Sequence, residues 1–315
     1  MRAWWLAVLV LLAACEPPVT PGSAEACRVE KLTSVAMRPL SNVWVVDVQV
    51  QGKPAVLMVD TGASSVNLVP EAVLRLGARI VDGRYAISNA SGTTVYRRAL
   101  QIDTLAIGTE TVERLAFPEL DGAPWAKMGF DGILGMDAFA RYDIEIDFAG
   151  RMLSLYRKRF CPAGPPPWTT RYVSSAISGP GAGRGTPVVP VQLNGQAGYA
   201  VVDTGSTVTL VDADLARRAG GGAEPPTGAR TIRTLTAGDA HGELRHTQFR
   251  ELLVAGARFT NPSLWVGQMG QSPDMLVGLD IMGRGKLWIS GGSDRLYISV
   301  PPTAAPPATA PASKR

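Results

Sequence analysis

Along most of the chain the apolar residues come in short runs rich in Val, Ile and Leu, cut by glycines and prolines. Runs of that length and make-up, bounded by turn-forming residues, predict β-strands. Two segments break the pattern, "PEAVLRLG" (Pro70–Gly77) and "DADLARRAG" (Asp212–Gly220), and each predicts a short helix. The N-terminus reads differently. "MRAWWLAVLVLLAAC" carries one charge, Arg2, and then an apolar run to Ala14, too short for a membrane-spanning helix but suited to a signal peptide. At the other end, residues 301–315, "PPTAAPPATAPASKR", have little to bury and predict a disordered tail.

The strand pattern repeats. "VDVQVQGKPAVLMVDTG" (Val46–Gly62) and "VPVQLNGQAGYAVVDTG" (Val189–Gly205) align without a gap at an offset of 143 residues. The same offset matches Leu76-Gly77 with Ala219-Gly220, Leu134-Gly135 with Val277-Gly278, Asp137 with Asp280 and Leu153 with Leu296. Residues 33–160 and 169–300 are therefore predicted to be two copies of one unit, joined by the proline-rich spacer 161–168, "CPAGPPPW". In each copy a turn at Gly52 or Gly195 leads into a strand that ends in Asp-Thr-Gly, followed by the short helix and a hairpin region. In the first copy "YAISNASGTTVY" (Tyr85–Tyr96) has two β-prone arms around a polar turn at Asn89–Gly92, the pattern of a mobile hairpin.

Composition narrows the function. At 315 residues the chain can bury two cores, and 46% hydrophobic with 18% charged residues argues against both disorder and a polytopic membrane protein. The net charge of +4 comes from scattered basic pairs (Arg97-Arg98, Arg217-Arg218) and one tighter cluster, "RKR" at 157–159, which argues against a nucleic-acid partner. The end of the apolar leader, Leu12-Ala13-Ala14-Cys15, resembles the lipobox of bacterial lipoproteins. That resemblance implies a signal peptide over 1–14, a lipid on Cys15, a tether over 15–32 and a place on the periplasmic face of a bacterial membrane. The alternative is cleavage after Ala26 in "SAEAC", giving a soluble periplasmic or secreted protein. Either route exports the chain, and in an oxidising compartment Cys27 and Cys161 are candidates for a disulfide, with two free thiols as the alternative.

The chemistry sits in the repeat. Asp60 and Asp203 each lie in an apolar setting where an unpartnered carboxylate would be costly to bury. Two Asp-Thr-Gly motifs after apolar strands, at matched positions of matched repeats, are far beyond chance. With "DTGAS", "DTGST", "FDGILG" (Phe130–Gly135) and "MLVGLD" (Met275–Asp280), the sequence resembles the aspartic proteases of the pepsin and retropepsin clan over residues 43–300. The resemblance implies a mainly β fold of two homologous β-barrel-like lobes with an active-site cleft between them, and hydrolysis of peptide bonds in a peptide or protein substrate. Two unit charges about 3 Å apart at an effective dielectric of ~20 repel by roughly 5 kcal/mol, so such a pair holds one proton near neutrality. It then supplies an acid and a base at once, and no metal or cofactor is called for. His241 and His246, the two histidines, are read as surface residues.

By the same resemblance Thr61 and Thr204 hydrogen-bond between the lobes, Gly62 and Gly205 bring backbone N–H groups to the carboxylates, and the Gly-bearing "ILG" and "LVG" segments cross behind the two loops. Ser206 is expected to donate to Asp203, whereas Ala63 cannot donate to Asp60, which would make Asp203 the more acidic partner. The hairpin with Tyr85, Asn89, Ser91, Gly92 and Tyr96 is the candidate flap, and the sequence does not choose between its two tyrosines. Asp137 and Asp280 are expected to cap the turn or helix after their glycines. One chain with both motifs implies a monomer. A different class stays open: a lipoprotein that keeps the two-lobed cleft and binds peptides or envelope components without cutting them.

Overall fold

The computed structural model describes residues 28–88, 94–120, 126–159, 165–182, 185–220, 244–270 and 273–299. It is mainly β, in two lobes built to one plan. The plan starts from a tight hairpin. In the first lobe Val43–Val50 and Lys53–Val59 pair antiparallel across Gln51-Gly52, and in the second Val188–Leu193 and Gln196–Val202 pair across Asn194-Gly195. Both residues of each turn have positive φ (51° and 75°, 48° and 84°), the geometry that matches strand twist and that Asn and Gly adopt most readily.

The second strand of each hairpin is then covered on its other edge by a short parallel strand. Leu57, Met58 and Val59 pair with Gly132, Ile133 and Leu134, while Ala200, Val201 and Val202 pair with Met275, Leu276 and Val277. A strand paired on both edges and buried on both faces needs the near-continuous apolar run seen before each aspartate. Leu57, Met58, Val59, Ala200 and Val202 are almost wholly buried. The two short helices form as the sequence predicts. Pro70–Leu76 begins on proline and ends on Gly77 in the left-handed conformation (φ 80°). Ala213–Arg218 is capped by Asp212, which accepts from the Asp214 N–H.

The lobes are not separate sheets. Lys286–Ser290 from the second pairs antiparallel with Asp143–Asp147 from the first, Lys286 opposite Asp147 and Ser290 opposite Asp143. Six strands form this shared sheet, in the order Tyr172–Ala176, Arg295–Ser299, Lys286–Ser290, Asp143–Asp147, Met152–Arg159 and the start of Arg28–Leu40. One face lays Ile144, Ile146, Leu153, Leu155, Leu287, Ile289, Leu296 and Ile298 into the main core. The other carries a separate cluster of Tyr156, Trp288 and Tyr297, with Val29 and Trp168 against it.

Two expected boundaries move. The first strand begins at Arg28, so residues 28–31, read as tether, are paired with the Met152–Arg159 strand, and Val29 and Leu32 pack on the two cores. Trp168, read as the end of a spacer, is half-buried with its ring 6.4 Å from that of Trp288. Apolar burial holds both segments to the sheet more strongly than their polar or proline-rich neighbours suggest. Cys15, Cys27 and Cys161, the leader 1–14 and the tail 301–315 lie outside the described residues.

Candidate active site

Asp60 and Asp203 each follow directly on the buried strand of their lobe. The strand that crosses behind holds each in place: the Asp60 N–H donates to the Leu134 carbonyl (3.2 Å) and the Asp203 N–H to the Val277 carbonyl (2.9 Å). The crossing segments then close against the loops through the Met136 N–H to Ala63 O and the Leu279 N–H to Ser206 O, both 2.9 Å. Gly135 and Gly278 are required at these crossings. A Cβ on either would stand 2.2 Å from the Ser65 carbonyl oxygen or 2.4 Å from that of Val208. The supporting part expected of "FDGILG" and "MLVGLD" is thus visible as backbone contact.

The loops bind each other through their threonines. The Thr61 hydroxyl donates to the Val202 carbonyl (2.6 Å) and accepts from the Thr204 N–H (3.1 Å). The Thr204 hydroxyl donates to the Val59 carbonyl (2.8 Å) and accepts from the Thr61 N–H (3.1 Å). Both side chains are essentially without solvent contact, and every polar atom named is satisfied across the lobe boundary. This lock sets the two carboxyls face to face.

Each carboxyl is cradled by its own loop. Asp60 Oδ1 accepts from the Gly62 and Ala63 N–H groups at 2.8 and 3.0 Å, and Asp203 Oδ1 from those of Gly205 and Ser206 at 2.8 and 3.2 Å. The closeness across the boundary shows at the glycines. A Cβ on Gly62 would lie 2.4 Å from Asp203 Cγ, and one on Gly205 would lie 2.4 Å from Asp60 Cγ. Neither glycine has positive φ. Their smallness is needed because the opposite lobe's carboxyl occupies the space of a side chain.

The two aspartates also hydrogen-bond to each other through their side chains. Burial pushes both above the ordinary carboxylate range, and the neighbouring Asp203 charge pushes Asp60 further, well above it. Backbone N–H donors, from Gly205, Ser206 and Gly62 on Asp203, oppose the rise. The two carboxyls therefore hold a proton between them and titrate as a unit.

The bond expected from the Ser206 hydroxyl to Asp203 is not made. The Ser206 hydroxyl donates to the Val208 carbonyl (2.8 Å), because the loop turns so that this carbonyl, and not the carboxylate, lies within its reach. Only the Ser206 backbone serves Asp203.

Family and structural comparisons agree with this arrangement. The aspartyl protease family profile matches residues 46–138 and again 189–281, two spans set apart by the same offset as the internal repeat. The chain belongs to the aspartyl protease family. Among solved structures it is similar to the aspartic proteinase from Irpex lacteus, with a TM-score of 0.54 and 15% identity over 87% of this chain and 97% of that one. That likeness shows a shared fold. No curated protein sequence matches the chain.

Beyond the aspartate loops, the aspartyl protease scaffold repeats its polar ties. Asp137 and Asp280 were expected to cap the turns that follow their glycines. Each instead reaches back to the chain after its own Asp-Thr-Gly: Asp137 Oδ1 accepts from the Val66 N–H (2.8 Å), and Asp280 from the Thr209 N–H (3.0 Å) and hydroxyl (2.7 Å). No side chain caps the short helices that start after Gly135 and Gly278. A second pair was missed in the sequence, one member inside and one just before the quoted motifs. Asp131 accepts from the Val56 N–H and Asp274 from the Tyr199 N–H, both at 2.9 Å, and Arg75 and Arg218 stand at 2.5 and 3.7 Å from them. Matching acids at the 143 offset was the signal that could have found it.

Burial raises Asp137 to about 6. A carboxyl raised on folding binds more protons in the native than in the unfolded state between its ordinary value and about 6. It therefore favours the fold at low pH and loses that contribution as pH rises through this window. Asp137→Asn keeps an acceptor for Val66 and removes the charge. We predict a higher melting temperature than wild type at pH 7.5 and no difference near pH 3, read by calorimetry.

The two arms expected to carry the candidate flap are paired strands. Arg79–Ser88 and Thr94–Ile107 run antiparallel, with Ala86 opposite Tyr96 and Ser88 opposite Thr94. Tyr85 donates from its hydroxyl to the Ala116 carbonyl (3.3 Å) on the adjacent strand, whereas Tyr96 is 60% exposed. Asn89, Ser91 and Gly92, at the expected tip, lie outside the described residues, as does His241. His246 stands beside Trp265 and within 3.2 Å of the Ser263 hydroxyl. Among the described residues no three His, Cys, Asp or Glu side chains gather as a metal site would require.

Proposed function

We propose that this protein is an exported aspartic endopeptidase that hydrolyses peptide bonds with a water activated between Asp60 and Asp203. The observation that carries the reading is the pair itself: two carboxyls from symmetry-related loops, hydrogen-bonded together and raised by burial. In the singly protonated state the ionised Asp203 takes a proton from the water as it attacks the peptide carbonyl. Protonated Asp60 gives its proton to the carbonyl oxygen, so the tetrahedral intermediate forms without a free oxyanion or hydroxide. Collapse of the intermediate returns a proton to the leaving amine and resets the pair. The Thr61–Thr204 lock supplies preorganisation, since the carboxyls need not move between steps.

The test is cleavage-site profiling of the mature chain on a peptide library by mass spectrometry. Defined cuts at acid to near-neutral pH support the reading. Peptide binding without any product overturns it in favour of a capture protein.

We also propose the lipid anchor on Cys15, the periplasmic location and the disulfide between Cys27 and Cys161. What supports the disulfide is the register of the neighbouring strands, in which Arg28 lies opposite Arg159. The bond would close a long loop at the end of a strand pair, a placement for which loss costs about 2–5 kcal/mol. A reductant, or Cys27→Ser with Cys161→Ser, is then expected to lower the urea midpoint, and equal midpoints would refute the bond.

A further inference from the structure

The shared sheet ends in an unusual surface. Where Arg28 lies opposite Arg159 and Glu30 opposite Arg157, a cavity of about 250 Å³ opens, lined by Arg141, Asp143, Arg157, Lys158 and Gly291-Gly292 among others. Lys158 belongs to the interior: it is 2.9 Å from Asp143, with a side chain only 4% exposed, and lies over the Trp288 ring. Other cations at this end of the sheet are placed differently, with Lys31 lying over the Tyr156 ring. Arg28, Lys31 and Arg141 are exposed and form no ion pair among the described residues, and Arg157 has its nearest acid, Glu110, at 4.0 Å. Of the acids here, Asp143 is taken by Lys158, Glu30 stands opposite Arg157 and Glu110 lies 4.0 Å from it, so Arg28, Lys31 and Arg141 present their charge to solvent. This end of the sheet is also where the N-terminal segment enters the fold, since Arg28 begins the first strand.

We infer that this basic end of the shared sheet docks on a membrane surface rich in anionic phospholipid headgroups, fixing one orientation of the two-lobed body against the bilayer. The occupant is chosen on the anchoring reading above. A chain tethered at Cys15 would emerge from this very surface. About 13 residues of tether can extend to roughly 45 Å, so the lipid alone leaves the body free to turn. Exposed Lys and Arg near an anionic leaflet each strengthen binding about fivefold, enough for a few of them to select the docked orientation.

The test uses the mature polypeptide from residue 16 without lipid, so that only the protein surface can bind. Cosedimentation is measured with vesicles of phosphatidylglycerol and phosphatidylcholine, and with phosphatidylcholine alone. We expect binding to the anionic vesicles only, weakening steeply between 50 and 300 mM salt. Arg141→Glu with Arg157→Glu should weaken it by at least about thirtyfold. Arg217→Glu with Arg258→Glu, an equal charge change on the second lobe, should leave it nearly intact, and melting curves check that every variant is folded. Absence of wild-type binding, equal binding to neutral vesicles, or an equal loss in both double variants overturns the inference. Failure of the anchor reading would show separately, as unacylated Cys15 in the mass spectrum of the cell-derived protein.

Discussion

Asp60→Asn and Asp203→Asn are each expected to lower kcat/KM for peptide cleavage by at least about 10³-fold, with the fold intact. In the proposed mechanism acid and base are one unit. Removing either carboxyl leaves a partner that cannot both accept the water's proton and supply another. Asparagine copies the shape of the protonated carboxyl, so at position 60 its oxygen can still accept from Gly62 and Ala63 while its NH₂ donates to Asp203. Activity in wild type should follow a bell in pH. The acid limb marks entry of the second proton, and the alkaline limb marks loss of the shared one. Because burial and the neighbouring charge raise the pair, the alkaline limb should lie above the ordinary carboxylate range. Retention of wild-type cleavage by either variant would remove the hydrolytic reading.

The same shift has a thermodynamic side with a definite sign. Both aspartates are raised on folding, so above their ordinary range the native state holds protons that the unfolded chain has released. Stability from this source falls as pH rises. Asp60→Asn deletes the raised group, and its melting temperature at pH 7.5 should exceed that of wild type by on the order of a few degrees. Near pH 3, where the carboxyls are protonated in either state, the two curves should meet. An inactive variant that is more stable at neutral pH is what an active-site cost looks like; an inactive variant that is less stable would point to a structural role.

How much of this was legible beforehand depended on what the repeat could carry. The offset of 143 fixed the two aspartates, the hairpin turns at Gly52 and Gly195, the threonine pair and the glycines behind the loops, because each is a residue type demanded by local geometry. The shared sheet was not legible. The pairing of Lys286–Ser290 with Asp143–Asp147 joins the lobes through backbone hydrogen bonds, which leave no signature in side-chain order. Ser206 was misjudged for a related reason: its residue type allows two acceptors, and only the path of the loop decides that Val208 O is the one reached. The tether boundary failed because Val29 and Leu32 are two apolar residues among charged ones, too few to reveal a strand whose burial comes from distant partners.

Gly205→Ala and Gly62→Ala are expected to abolish cleavage as fully as the aspartate substitutions, by the opposite route. The new methyl would stand 2.4 Å from Cγ of the other lobe's aspartate and 2.6 Å from both its oxygens. No rotamer relieves this, since a Cβ has none and the carboxyl is pinned by two backbone N–H groups. The lobes must part, or the carboxyl must turn out of its cradle. Parting strains the four hydrogen bonds of Thr61 and Thr204, which have no water to replace them. Overpacking of this kind costs about 1–3 kcal/mol, and each buried group left unpaired about 1–3 more. The glycine variants should therefore melt below wild type at pH 7.5, where Asp60→Asn melts above it, although neither cuts peptide. Because the clash is with a carboxyl, Gly205→Ala in an Asp60→Ala background should recover most of the lost stability and none of the activity. If the double variant is as unstable as Gly205→Ala alone, the two lobes do not approach at the aspartates as closely as the geometry requires.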